Sequence, residues 1–321
     1  MTHQKHILFG VLNWGLGHAT RSIPLIKSLE KKGFAVTIAS DGLALKVLKN
    51  TFPELNFLVL ADLKISYGKT RNQSISIVMQ LLDLLRWYKA ERKIVRDFLK
   101  KNIVDEIISD NRPTVKSNNI PSYYITHQLE VKSGILTAFS TLGHKFLFKG
   151  YTEIWVPDVA STPNLSGDLS HKSTHKNIKF IGPQSDLIQR ASTAKAEFDA
   201  ALILSGPEPQ RTLLESAAIN QLAKSDLKIL ILRGTTNPLE TKLPKSWQCI
   251  NLGSRAHVQQ AFEISRVIIA RCGYSTLMDL YSFNKAAILI PTPGQPEQEY
   301  LASMPLHQHN FSIHRQNSLN L

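Results

Sequence analysis

The chain has 321 residues, 43% hydrophobic and 20% charged. This is ordinary globular usage that excludes a fibrous or disordered protein, and at about 150 residues per domain the length predicts two domains. The net charge of +13 is uneven, with 22 basic against 13 acidic side chains in residues 1–160 and 16 against 12 in residues 161–321. That imbalance points to an anionic partner for the first half or, equally, to a basic surface that serves solubility. Two isolated cysteines, Cys249 and Cys272, exclude a cysteine-built zinc site and fit a reducing compartment.

Short apolar runs alternate with helix-length amphipathic stretches, the pattern of a parallel sheet flanked by helices. The first, Ile7–Leu12, reads as a strand: it runs into Asn13-Trp14-Gly15 with no small-residue cleavage site, unlike a signal peptide. A helix is expected over Ala19–Lys32, ended by Gly33, then a strand at Phe34–Ala39. A helix over Leu43–Asn50 and a strand at Phe57–Leu60 follow, then a long helix over Ser74–Lys101. That helix carries seven basic residues within 86–101 against two acids. The pattern suits a core-facing helix with a solvated basic face, and also a surface that meets an anionic membrane. Strands are expected at Glu106–Ser109, Tyr123–Thr126 and Glu153–Val156. The stretch 161–181, rich in Ser, Thr, Asn, His and Lys, reads as a linker.

A second alternating series begins at the strand Ala200–Leu204 and the helix Gln210–Lys224. It continues through a strand at Lys228–Leu232, a helix at Val258–Ser265, a strand at Val267–Ala270, a helix at Ser275–Ser282 and a strand at Ala286–Pro291. Pro296–Ala302 opens one more helix. No run approaches the about 18–20 apolar residues of a membrane-spanning helix, so a cytoplasmic protein is expected.

Three motifs stand at strand-to-helix turns. Gly15-Leu16-Gly17-His18-Ala19-Thr20-Arg21 follows the first strand, where glycines permit a sharp turn and a helix N-terminus favours negative charge. It is half a dinucleotide fingerprint. Asp41 sits where a ribose-binding acid belongs, but Thr20 replaces the third glycine. In the second half, Ser205-Gly206-Pro207-Glu208-Pro209-Gln210-Arg211 and Arg271-Cys272-Gly273-Tyr274-Ser275-Thr276-Leu277-Met278-Asp279 each leave a strand and open a helix. Both offer backbone N–H groups to a diphosphate. Gln295-Pro296-Glu297-Gln298-Glu299-Tyr300 lies at the strand edge where open α/β sheets bind ligands. His127 and Gln128 are placed to reach the same cleft but read better as a surface pair, and His171, His175, His307 and His309 have no metal-site spacing.

With these segments the sequence resembles two-domain glycosyltransferases of the GT-B fold, family 28 in particular. That family includes the N-acetylglucosaminyltransferase of peptidoglycan synthesis and the diacylglycerol glycosyltransferases. The resemblance implies an α/β fold of two Rossmann-like domains facing across a cleft. Residues 1–160 would be the acceptor domain and 182–321 the donor domain. By the same resemblance this sequence is expected to stop, at Leu321, before the final helices with which many relatives cross back to the first domain.

The resemblance further implies inverting, metal-independent transfer from a nucleotide-diphosphate sugar, usually a UDP-sugar, with the nucleotide-sugar as substrate and no cofactor. Gly206, Gly273, Ser275 and Thr276 would hold the diphosphate and Arg271 would help meet its charge. Asp279 would accept from the ribose hydroxyls, Glu297 and Gln298 would contact the sugar, and the backbone around Ser254-Arg255 would line the base. Gly15 and Gly17 would form the acceptor-side turn. His18 suits a general base, with an acid limb expected at about pH 6–7, over a turn histidine that binds phosphate or caps the helix; Asp110 would orient it or, equally, cap the turn Ser109–Pro113. A glycan or lipid acceptor, cell-envelope glycan synthesis and peripheral association with the inner face of an anionic membrane fit the same picture; nucleic acid does not. The rival readings are a nucleotide-sugar epimerase of the same fold, a non-catalytic nucleotide-sugar binder, and a dinucleotide-dependent oxidoreductase.

Overall fold

The computed structural model describes residues 3–14, 16–62, 73–130, 148–173, 175–189 and 196–319, with side chains excepted at 73–82 and 307–308. The chain divides into two units. Among the described residues, the first takes in those up to Leu129, 148–157 and Ser173–Gly182, and the second takes in Glu130, Asp158–Lys172 and those from Pro183 onward.

The first unit holds a seven-stranded parallel sheet. Its strands are β1 (His6–Val11), β2 (Ala35–Ser40), β3 (Asn56–Val59), β4 (Glu106–Asp110), β5 (Ser122–Ile125), β6 (Glu153–Val156) and β7 (Ile178–Phe180), in the order β3-β2-β1-β4-β5-β6-β7. Helices α1 (Gly17–Lys31), α2 (Gly42–Thr51) and α3 (Gln73–Lys101) belong to the same unit. Successive side chains of a strand point to opposite faces, and β1 shows the consequence. Ile7, Phe9 and Val11 pack with Ala19, Ile23 and Ile26 of α1, whereas Leu8 packs with Val95 of α3, Val104 and Val115. A sheet covered on both faces needs near-continuous apolar strands, which is why β1 is legible from sequence. At Gly10 a Cβ would come within 2.9 Å of the Val115 side chain. A glycine here lets the segment after β4 lie against β1.

The second unit repeats the plan with six parallel strands: β8 (Phe198–Ile203), β9 (Ile229–Leu232), β10 (Gln248–Ile250), β11 (Ser265–Arg271), β12 (Ala287–Ile290) and β13 (Phe311–Ile313), in the order β10-β9-β8-β11-β12-β13. Its helices are α4 (Asp168–His171), α5 (Gln210–Leu222), α6 (Arg255–Ile264), α7 (Tyr274–Phe283) and α8 (Pro296–Ala302). Ala201, Ile268 and Ala270 face one core, and Ala200, Leu202 and Ile269 face the other.

Both sheets reverse direction once. In the first the chain builds outward from β1 through β2 to β3, then returns to β4 at β1's other side. In the second the same reversal places β11 beside β8. At such a point the connections leave toward opposite faces and open a crevice at the carboxyl ends of the two strands. The register sets Val11 against Asp110 in the first sheet and Ile203 against Ala270 in the second. The Gly15–Arg21, Ser205–Arg211 and Arg271–Asp279 segments therefore emerge at reversal points, whereas Gln295–Tyr300 follows β12, one strand further out.

The segment expected as a linker, 161–181, is not a bare connection. It contains α4, and β7 pairs with β6 in the first sheet. The expectation missed β7, β10 and β13 because each is three residues long, too short to show a period of two. β7 and β10 are edge strands with part-exposed side chains, which the hydrophobic pattern barely marks.

Candidate active site

In the first unit α1 starts at Gly17, two residues earlier than the sequence suggested, so His18 is its second residue. No side chain caps this end. The Thr20 hydroxyl donates back to the carbonyls of Leu16 and Gly17, both at 3.2 Å. Gly15 lies outside the described residues. Asp110, the last residue of β4, is fully buried, and its Oδ1 accepts a hydrogen bond from His18 Nδ1 at 3.0 Å. The dyad expected from sequence is thus assembled by the reversal of the first sheet, from one residue on each side of it.

Three further donors converge on the same carboxylate. Arg21 Nε donates to Oδ2 at 2.7 Å, Arg21 Nη2 donates to Oδ1, and the Ser22 hydroxyl donates to Oδ2 at 3.0 Å. Burial by itself would raise the Asp110 carboxyl, but Arg21 and His18 beside it hold it well below the usual carboxylate range. Asp110 is therefore ionised and only accepts, so His18 carries a proton on Nδ1 and keeps its lone pair on Nε2. Burial, then the Arg21 charge, draws the His18 imidazole below its ordinary value against the opposing pull of Asp110. Its side chain is 14% exposed, enough for Nε2 to meet a substrate.

His127 corrects the sequence reading. It is buried, not a surface residue, and its Nδ1 lies 3.2 Å from Arg21 Nη1. Burial hides a histidine from any reading based on polarity alone. Sequence reasoning also missed Arg21 and Ser22, although the spacing of Arg21 three residues after His18 puts the two on one helix face.

Asp41, the acid that a dinucleotide site would need, is committed elsewhere. It accepts from Arg112 Nη1 at 2.7 Å, and Arg112 is itself 1% exposed. The same guanidinium donates to Glu91 of α3 and to the Val11 and Ala61 carbonyls. It ties the ends of β1 and β2 to α3 and leaves the dinucleotide reading without its ribose ligand.

In the second unit Gly206 follows β8 and Gly273 caps α7 after β11, so both stand at the sheet's reversal. Gly206 has φ of +98°, a backbone region that favours glycine, and space for a Cβ around it is empty. No side chain caps α7 and no acid sits in its first turn, a helix start that favours a negative ligand. Ser275 and Thr276, both part-exposed, add hydroxyls in that turn.

The remaining expected donor residues need correction. Arg271 is 1% exposed and donates to the backbone carbonyls of Gln210 (2.6 Å) and Pro291 (3.3 Å). Burial lowers its pKa to about 10. A guanidinium packed under the strand ends on carbonyl groups is a brace, not a contact for a departing diphosphate. Gln298 is also buried, its Oε1 accepting from the Thr292 N–H at 2.9 Å, so it holds the loop after β12 in shape. Glu297 beside it is part-exposed.

The Arg255 side chain is committed within the protein. Its guanidinium donates twice to Asp279 at 2.7 Å and once to Asp186 at 2.6 Å, while the Ser185 hydroxyl donates to Asp279 at 2.6 Å. With three hydrogen bonds accepted, Asp279 keeps about one lone-pair site of four, on Oδ2. A cavity of about 610 Å³ lies beside the loop after β12, lined by Pro291, Pro293, Glu299, Ile313 and Arg315 among others. None of the expected site residues lines it.

Comparison with known proteins agrees with this architecture. Residues 5–128 match the model described as glycosyl transferase family 1, and residues 203–319 match the glycosyltransferase family 28 C-terminal domain. No curated protein matches the chain. Among solved structures, the glycotransferase of kitacinnamycin is 14% identical, with a TM-score of 0.70 over 99% of this chain and 88% of that one. MurG from Acinetobacter baumannii is 13% identical, with a TM-score of 0.61 over 99% and 88%. Arabidopsis thaliana UGT89C1, solved with UDP-L-rhamnose, is 13% identical, with a TM-score of 0.63 over 99% and 87%. Such identities speak to the fold, and the two matched domain models supply the class. The chain is a glycosyltransferase of the GT-B fold, family 28-like.

Proposed function

We propose that the protein transfers a sugar from a UDP-sugar to the hydroxyl of a glycan or lipid acceptor, with inversion and without a metal ion. The observation that carries this reading is the His18–Asp110 pair at the reversal point of the first sheet. Nε2 of His18 takes the acceptor proton while the hydroxyl oxygen bonds to the sugar's anomeric carbon. The diphosphate leaves from the opposite face with the bonding electron pair, so one displacement inverts that centre. Asp110 stabilises the imidazolium that forms, and a positioned base of this kind is worth about 10²–10⁴-fold in rate.

The donor belongs to the second unit. The first-turn N–H groups of α7, with the Ser275 and Thr276 hydroxyls, suit the growing charge on the diphosphate. Gly206 lets the backbone after β8 approach the same group, and Asp279 has room to accept from one ribose hydroxyl. Arg271 shapes this floor from beneath. Among the described residues no helix is long and apolar enough to cross a membrane. Association with an anionic membrane face, at the cytoplasmic side, rests on the basic first half and belongs to the proposal.

The test is calorimetric titration of UDP against the protein and two variants. Ser275→Ala and Asp279→Ala each weaken binding by about 1–3 kcal/mol, the loss of a hydrogen bond in a partly dry site. Unchanged affinity in both removes the donor assignment.

A further inference from the structure

Arg21 is absent from the donor and acceptor sets described above, yet it donates to both carboxylate oxygens of Asp110. It sits on α1 with 4% of its surface exposed. Its Nε and Nη2 take both oxygens of Asp110, and its Nη1 faces His127 Nδ1 at 3.2 Å. We infer that Arg21 is the positioning residue of this site, holding Asp110 in one orientation and setting the two neighbouring imidazoles in opposite tautomers.

The argument is one of donors and acceptors. A guanidinium only donates and an ionised carboxylate only accepts. His18 Nδ1 meets the carboxylate, so it carries the proton and leaves the Nε2 lone pair for chemistry. His127 Nδ1 meets the guanidinium, so it accepts, and the neutral ring carries its proton on Nε2. The chain His127–Arg21–Asp110–His18 therefore has a single consistent assignment of hydrogens.

Only arginine can make these contacts together. Its planar fork presents fixed donors on two sides, whereas the single nitrogen of a lysine cannot span Asp110 and His127. The charge has a second effect. Arg21 and Ser22 face the dyad from α1, Asp110 from β4, Tyr124 from β5 and His127 from the segment after β5. Arg21 lowers the proton affinity of His18, Asp110 raises it and His127 lowers it slightly. Removing the Arg21 charge takes away the largest lowering influence after burial, so the proton affinity of His18 rises.

The catalytic consequence rests on the reading of His18 as base; the tautomers do not. The experiment is nitrogen-15 spectroscopy of histidine-labelled protein, beside pH–rate profiles, for the wild type, Arg21→Lys and Arg21→Gln. In the wild type His18 is protonated on Nδ1 and His127 on Nε2. In Arg21→Lys the His127 signals become those of a tautomer mixture. In Arg21→Gln the His18 titration midpoint rises by about 1 pH unit, the acid limb of kcat follows it, and UDP affinity stays unchanged. kcat falls about 10-fold or more, part of what an aligned base supplies.

The wild-type spectra need no variant to fold, and they alone overturn the assignment if His18 is protonated on Nε2 or His127 on Nδ1. An unmoved His18 midpoint in folded Arg21→Gln overturns it as well. If the midpoint moves and the acid limb does not, Arg21's role stands and His18's role as base falls.

Discussion

At the scale of single residues, the chemistry turns on how much of each side chain is already spent. His18 keeps one nitrogen for a substrate because Asp110 uses only the other. His18→Ala should therefore lower kcat by about 10²–10⁴-fold while UDP affinity, measured by calorimetry, stays constant. The wild-type acid limb should lie below the ordinary imidazole value of about 6.5, lower than the sequence suggested, because burial and Arg21 both disfavour the charged ring. Stability follows the same sign. The unfolded chain binds a proton at His18 at higher pH than the folded protein, so stability rises with pH through that window and falls as pH drops below about 6.5. Asp110 adds stability that is present above its unfolded value of about 3.9 and is lost as pH falls further. Urea denaturation at a series of pH values should show a shallower slope between pH 5 and 7 in His18→Ala than in the wild type, at most about 1.4 kcal/mol per pH unit per proton.

At the scale of elements, the ends of helices and strands decide where these side chains stand. α6 begins with a capping box, the Ser254 hydroxyl accepting from the His257 N–H and the His257 ring accepting from the Ser254 N–H. This cap aims Arg255 at Asp186 and Asp279. Ser254→Ala should cost about 0.5–2 kcal/mol, read as a lower urea midpoint, and should also loosen Arg255 from Asp279. In the first unit, Arg112 joins β1, β2 and α3 while fully enclosed. Arg112→Met would leave Glu91 and Asp41 as buried carboxylates without their cation, a loss of about 3–5 kcal/mol. Circular dichroism during thermal melting should register it as a marked drop in Tm. A variant as stable as the wild type would show that water reaches these acids. Glu91 is already raised by its burial despite Arg112, which fits a dry site.

At the scale of the whole molecule, the charge is the feature not used by either site. The +9 of residues 1–160 against +4 of residues 161–321 favours an anionic surface meeting the first half. The protein should cosediment with vesicles containing anionic lipid at low salt and be released above about 0.3 M, where the Debye length falls well below 8 Å. It should ignore vesicles of neutral lipid. Equal binding to both, or binding that salt does not weaken, would remove the electrostatic basis for membrane association.

Much of this protein is written in one dimension. Apolar runs alternating with amphipathic stretches demand buried parallel strands between helices, since nothing else hides both kinds of surface. The glycines near His18, Gly206 and Gly273 mark the turns, because few other residues let a backbone bend there at so little cost. The resemblance to family 28 points to Asp110 after a strand and to Asp279 at its spacing after Arg271. What those carboxylates touch was not legible. Asp110 lies 92 positions from His18 in sequence and Asp279 24 from Arg255, and only the reversal of each sheet makes them neighbours. For the same reason the chain alone left Arg271 and Gln298 as ligands, although burial has turned both inward as supports. Polarity states that a side chain wants a partner. Tertiary packing decides whether that partner is the substrate or the protein itself.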